Sequence, residues 1–305
     1  MQTTLRSEIR FEGVGLHTGV PVRMRLLPAS AHYGIWFRRI DQAGDNLIPA
    51  LWHAVEDATL CTRIVNGAGA EVQTIEHVMA ALAGCGVHNA LIEIDGPEVP
   101  VMDGSSALFV AEILRIGLRR LDAPVKTLRI LEPVEVRNGQ AWARFEPSDM
   151  LSIEFHIEFE DAAIGRQTKV LEMANGTFVR ELCDSRTFCL HRDVETMRAR
   201  GLALGGTLEN AVVVDGERVL SPGGLRHVDE AVRHKMLDAM GDLALAGAPV
   251  IGRYIGHRAG HALTNRLLRA LFARPSAARL VECPDDLAAR LPGAGTGPAE
   301  MRLRA

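Results

Sequence analysis

Aromatic residues make up only 5% of this 305-residue chain, and tyrosine occurs twice. So thin a supply argues against a surface that stacks single-stranded bases or binds in the manner of an antibody loop. Cysteine is also scarce. Cys61, Cys85, Cys183, Cys189 and Cys283 are scattered, odd in number and never spaced as CxxC. Neither a disulfide framework nor a zinc ribbon is indicated, and a reducing cytoplasm fits best. No run approaches the roughly 20 apolar residues of a membrane span. The opening MQTTLRSEIRFEGVGLHTG interleaves acids and bases with no apolar segment, so it does not read as a signal peptide. A net charge of −4 gives no general footprint for nucleic acid. The one basic run, LRIGLRR from Leu114 to Arg120, reads as a solvated helix end or linker.

What is present is ordinary globular material, 47% hydrophobic and 24% charged, long enough for two domains. The first third alternates strands and turns, as in VPVRMRLLP and GIWFRR. A helix follows in TIEHVMAALAGCG with a glycine stop, then a strand in NALIEIDG and a helix after the Asp103-Gly104-Ser105-Ser106 signal. A similar order recurs after Pro124. Strands are expected in KTLRILEPVEVR, AWARFEP and LSIEFHIEF, a helix over about 229–245, one strand in PVIGRYIGH and a last helix over about 260–271. IEHVMAAL written over VRHKMLDAM superposes His77 on His234 and Met79 on Met236. Two α+β domains on one plan, 1–123 and 124–285, is the economical reading. Residues 193–221 look inserted, with a helix, a Gly-rich turn and a hairpin at Asp215-Gly216. A flexible extension is expected over 286–305.

The chemistry concentrates in VRHKMLDAMGDLALAG, which spaces His234, Asp238 and Asp242 by four on one helix. Residues four apart share a face, so an imidazole and a carboxylate there can meet at one metal ion. The plainer alternative is a hydrogen-bonded pair on a solvated face. His77 supplies a third candidate ligand, and His-His-Asp suits Zn²⁺ with a fourth position open to water. Glu76 precedes His77 and points about 100° away, placing it to act as a general base on such a water. No HExxH exists, so that peptidase motif is absent. His261 is a candidate general acid, Asp242 the group that keeps it protonated, and Lys235 a cation for a phosphate. Singly, each histidine is more often structural than catalytic.

TIEHVMAAL, SRTFCL, LGGTLENAVVVD, VRHKMLDAMGDLALAG and GHALTN, with GVGLHTG and DATLCT, resemble the UDP-3-O-acyl-N-acetylglucosamine deacetylases, zinc amidohydrolases of lipid A synthesis. The similarity runs from about residue 2 to 275, with the motifs in family order. It implies two domains of like topology, each a helical layer on a sheet with an insertion, and an active site between them. It also implies that the second insertion forms an apolar passage for an acyl chain.

Carried over by position, the resemblance implies zinc ligands at His77, His234 and Asp238. It makes Glu76 the base, His261 the acid and Asp242 its partner. Thr187 falls on a hydroxyl that stabilises the oxyanion, Phe188 and Phe159 on substrate-contacting aromatics, and Lys235 and Gly206 near the nucleotide sugar. His191 departs from the family pattern, standing where an apolar passage residue is expected. The expected reaction removes the N-acetyl group of an acylated UDP-sugar. The enzyme is expected to be a cytoplasmic monomer with at most transient membrane contact. The competing readings are another zinc amidohydrolase or peptidase, and a nucleotide-sugar or lipid-binding protein with a structural zinc.

Overall fold

The computed structural model describes residues 1–297, and the end of the expected extension, 298–305, lies outside the described residues. Two five-stranded sheets carry the fold. The first orders its strands as Ile9–Val14, Pro21–Pro28, Ala90–Ile94, Ile35–Arg39 and Leu47–Pro49. All neighbours are antiparallel except Ile35–Arg39 beside Ala90–Ile94. The second runs Val134–Asn138, Ala141–Glu146, Arg253–His257, Ser152–Glu158 and Arg166–Glu172. Its one parallel neighbour pair, Ser152–Glu158 with Arg253–His257, stands at the same place. The two halves therefore repeat one topology. In each, the helix bearing a candidate histidine leads into the third strand of its sheet: α1 (Glu76–Cys85) before Ala90–Ile94, and α4 (Glu230–Ala244) before Arg253–His257.

Alternation sets the faces. Val22, Met24 and Leu26 point into the first core while Arg23 and Arg25 face outward to Asp95 and Glu93. Ile153, Phe155 and Ile157 do the same in the second sheet. The helical layers are α1 with α2 (Ala107–Ile116) and α4 with α5 (His261–Phe272). Helix α1 is buried around almost its whole circumference, because it is covered by its own sheet on one side and by α4 on the other. Gly241 permits that approach: a Cβ there would stand 2.1 Å from the carbonyl oxygen of Glu76.

Each half carries an insertion. Val55–Glu56, Arg63–Val65 and Glu71–Gln73 form a small antiparallel sheet in the first. In the second, Phe188–Leu190, α3 (His191–Ala199), Val212–Asp215 and Arg218–Val219 form the other, with the hairpin turning at Asp215-Gly216. No side chain of α3 is buried.

Three details differ from the sequence reading. PVIGRYIGH is two strands, since Gly252 breaks it: Val250–Ile251 joins Lys126–Ile130, and only Arg253–His257 enters the large sheet. A Cβ at Gly252 would stand 2.5 Å from Ile130. Within LRIGLRR, helix α2 stops at Gly117 and Leu118–Arg120 pairs with Thr3–Leu5 as a strand, which closes the first half. The described part of the expected extension, 286–297, is folded against the body. It follows the short α6 (Asp285–Ala288), buries Leu291, and brings Gly293 so near α1 that a Cβ would stand 2.3 Å from the Cys85 backbone. No helix among the described residues is long and apolar enough to cross a membrane.

Candidate active site

The close crossing of α1 and α4 brings the first turn of α1 against the middle of α4, and the candidate residues meet there. His77 and His234 stand edge to face with ring centroids 5.1 Å apart. Their ring nitrogens and a carboxylate oxygen of Asp238 all lie within 4.8 Å of one another. His234 Nε2 is 3.3 Å and His77 Nε2 3.8 Å from Oδ1 of Asp238. The Nδ1–H of His234 donates to the carbonyl of Ser185 at 3.0 Å, which leaves its Nε2 lone pair facing the centre.

Asp238 has two differently used oxygens. Oδ2 accepts from the Lys235 ammonium at 2.8 Å. Oδ1 is fully buried and has no hydrogen-bond partner among the described residues. A buried carboxylate oxygen without a donor is costly. Its neighbours are two imidazole nitrogens, of which at least one offers a lone pair. That donor set fits a divalent cation such as Zn²⁺, with three protein ligands.

Glu76 and His261 flank the centre. His261 Nε2 lies 3.8 Å from Glu76 Oε1 and 3.9 Å from Asp238 Oδ2. Its Nδ1–H donates to Asp242 Oδ2 at 2.9 Å. His261 is the first residue of α5, where the helix dipole disfavours a cation by ~0.3–1 kcal/mol. Burial also opposes the charge, yet Asp242, Glu76 and Asp238 together push its pKa up to about 10. Glu76 moves the other way from a usual carboxylate. Burial, reinforced by Asp238 and Asp242, lifts it to about 7, against the pull of His261. Burial and the neighbouring His234 hold His77 down at about 3, and burial lowers His234 as well. Burial opposes ionisation of Asp238, but His234, Lys235, His261 and His77 hold it far below the carboxylate range. Both shifts are upward, leaving Glu76 near neutrality and His261 cationic.

Around this core, Phe188 stands 6.3 Å from the His234 ring and 5.5 Å from Phe159, both edge to face. The Lys235 ammonium lies 5.7 Å above Phe188. Lys235 is therefore engaged with Asp238 and an aromatic wall. Thr187 is half-buried beside Phe188, its backbone held by Gly104 and Val212. Gly206 lies in the second insertion above Leu16, while Gly205 packs so tightly on Gly15 that a Cβ would stand 2.2 Å from its carbonyl oxygen. His191 is exposed at the start of α3.

Several residues at the site carried no assignment from the sequence. Thr62 links Glu76 to the carboxylate that holds His261: its hydroxyl donates to Asp242 Oδ1 at 2.6 Å and its N–H to Glu76 Oε2 at 3.0 Å. His17 is buried, with an Nε2 that has no partner among the described residues, and feels the charge of His261. Its loop is fixed by Glu98, which accepts from the N–H groups of His17 and Thr18 and from the hydroxyls of Thr18 and Thr74. Arg186 and Glu230, both buried, form a charged pair one residue along from Ser185. Thr62 and His17 lie within DATLCT and GVGLHTG, but loops have no periodicity that would show which side chain turns inward.

Comparison with known proteins gives a concordant result. A family model described as UDP-3-O-acyl N-acetylglycosamine deacetylase (LpxC) matches residues 2–273. A UDP-3-O-acyl-N-acetylglucosamine deacetylase of Phenylobacterium zucineum (strain HLK1) is 49% identical over 94% of this chain and 98% of its own length. Enzymes of the same name from Shewanella frigidimarina (strain NCIMB 400) and Shewanella oneidensis are each 44% identical, covering 92% of both chains.

Proposed function

Because the chain belongs to the UDP-3-O-acyl-N-acetylglucosamine deacetylase family, we propose that it hydrolyses the 2-acetamido group of a UDP-3-O-(3-hydroxyacyl)-N-acetylglucosamine. The products are acetate and the free amine, and the step belongs to lipid A biosynthesis. The observation that carries the mechanism is the meeting of His77, His234 and the Asp238 Oδ1, unpartnered among the described residues, beside Glu76 and His261.

His77, His234 and Asp238 would hold Zn²⁺, which supplies Lewis acidity toward the amide carbonyl and acidifies water. Glu76, poised near neutrality, takes the proton of the attacking water. His261, cationic through Asp242, delivers a proton to the departing amine nitrogen. The Thr187 hydroxyl donates to the oxyanion, a role worth ~3 kcal/mol per donor in comparable sites. Lys235 holds Asp238 in place through Oδ2. Phe159 and Phe188 lead from the centre toward the second insertion, where Leu204 and Leu208 are 52% and 44% exposed. Such exposure suits the wall of an acyl passage. Gly206 lets the nucleotide sugar approach the backbone closely. In this reading the enzyme works as a cytoplasmic monomer.

The test is acetate release from UDP-3-O-(3-hydroxymyristoyl)-N-acetylglucosamine, before and after metal stripping and return of one equivalent of zinc. Release that vanishes and returns with zinc supports both reaction and metal. A folded, zinc-loaded protein that releases none sinks the substrate assignment.

A further inference from the structure

Away from the catalytic centre, at the opposite ends of the same two helices, lies a cavity of about 970 Å³. None of His77, Glu76, His234, Asp238 or His261 lines it. Its floor is apolar and buried, formed by Met79 and Leu82 of α1, Met240 and Leu243 of α4, and Leu151 and Val250 of the second half. The segment around Leu291 closes one side. Protein interiors are packed nearly without voids larger than a water, so a space this large and this apolar is not an ordinary packing defect. It stands at the upper end of the range for small-molecule sites.

The mouth has a different character. Leu280 is 53% exposed there, among exposed polar residues. Arg120 and Lys126 are both exposed and make no ion pair or hydrogen bond among the described residues. Arg120 stands directly opposite Thr3 in an antiparallel pair, so the two side chains share a face. The Thr3 hydroxyl and N–H meet Nδ1 of His88 at 2.7 and 3.2 Å. That hydroxyl also donates to the Gly86 carbonyl. Burial keeps the ring neutral, with a pKa lowered to about 4. At His32, the Gln2 amide Nε2 donates to Nδ1 at 3.0 Å, while the Gln2 carbonyl oxygen accepts from His32 N–H and from Asn89. His32 thus retains an Nε2–H donor with no partner among the described residues. Among the described residues of the lining, Asp285 sets a carboxylate against the Arg120 and Lys126 cations.

We propose that this cavity is a second ligand site, distinct from the catalytic centre, that binds a long-chain fatty carboxylate. The alkyl chain lies along the Met79, Leu82, Met240 and Leu243 floor, and the carboxylate meets Arg120, Lys126 and the free Nε2–H of His32. Free cations at the mouth of an apolar cavity match an anionic head group on an alkyl chain. The proposal stands independently of the deacetylase reading, whose activity is measured separately.

The experiment uses the delipidated full-length chain and a palmitate probe carrying a photoreactive diazirine in its alkyl chain. Expected labelling falls on peptides containing Leu82 to His88 and Leu243 to Val250, and persists in excess acylated UDP-sugar. The double variant Arg120→Met, Lys126→Met changes only exposed side chains and weakens palmitate binding ~10-fold, the scale of one lost charged contact. Ala83→Phe, which fills the cavity, abolishes the labelling while deacetylase activity persists. Labelling confined to 188–214 and displaced by substrate would place the probe in the acyl passage and overturn the proposal. Equal affinity for hexadecanol, preference for hexadecyl phosphate, or undiminished affinity in the double variant would overturn it as well.

Discussion

Lys235 and Asp238 are joined at 2.8 Å through only one carboxylate oxygen, leaving the other oriented toward His77 and His234. The sequence suggested a lysine free for a phosphate. In the structure it is positioned to fix Asp238, the proposed zinc ligand, and the two roles separate experimentally. Lys235→Met should weaken zinc retention ~10–100-fold, as loss of a group supporting a metal ligand does. Chelator competition reads this directly. Unchanged zinc affinity with a raised KM would return the lysine to substrate binding.

Asp242 is expected to set the charge of His261. Because Asp242 raises that pKa, Asp242→Asn should lower it, and the alkaline limb of the kcat/KM profile should move to lower pH. The same shift bears on stability. His261 has a folded pKa near 10 against an ordinary 6.5, so its contribution is complete below pH 6.5 and disappears as pH rises through about 10. Thr62→Val, which removes the hydroxyl on Asp242 but no charge, should move the limb less. An alkaline limb unmoved in Asp242→Asn would detach His261 from the rate.

Glu76→Gln should lower kcat ~10²–10⁴-fold, the range for a general base, with zinc content unchanged. Its carboxylate is needed ionised, so the acid limb belongs to it, and in the metal-stripped protein it should titrate near pH 7. Infrared or NMR titration of that carboxyl checks the value. A normal carboxylate pKa near 4.5 would contradict the burial on which the assignment depends.

The site was legible where chemistry followed helical spacing and illegible where it depended on loops. His234, Asp238 and Asp242 share a face because the helix repeat requires it. His77 could be paired with them because the echo between the two helices reflects a real repetition of topology. Thr62, His17 and Ser185 could not be found this way, since their places are fixed by contacts with residues far along the chain. The fold shows the same division. Helix limits agreed to within a residue or two, whereas PVIGRYIGH hid a break, because Gly252 is dictated by its closeness to Ile130 rather than by local pattern. The segment 286–297 looked unstructured because its glycines and alanines carry little signal, but Gly293 is needed where it touches α1.

Gly241 should be among the least replaceable residues outside the chemistry itself. A methyl group there would meet the Glu76 carbonyl at 2.1 Å and the Ala80 nitrogen at 3.1 Å, both backbone atoms of α1. Gly241→Ala must therefore separate the helices, costing ~3 kcal/mol or more. The same displacement moves His77 away from Asp238. Urea unfolding and zinc affinity should both fall, while Gly139→Ala, at an open turn, should leave zinc affinity unchanged.

The buried pair Arg186 and Glu230 supports the site from behind and should govern acid stability. Glu230 accepts from the Arg186 backbone N–H and guanidinium and from the Arg226 N–H. Burial alone would raise its pKa, but these donors hold it below the ordinary 4.5. Its stabilisation is therefore present above pH 4.5 and lost as pH falls through the depressed folded value. Glu230→Gln should cost ~3 kcal/mol near neutrality, because it leaves Arg186 buried without a counter-charge, and should flatten the decline in acid. The Ser185 carbonyl that orients His234 sits next to Arg186, so zinc affinity should drop with it. A Glu230→Gln protein of unchanged neutral stability, with His234 still tightly metal-bound, would mean that the loop holds its shape without the pair.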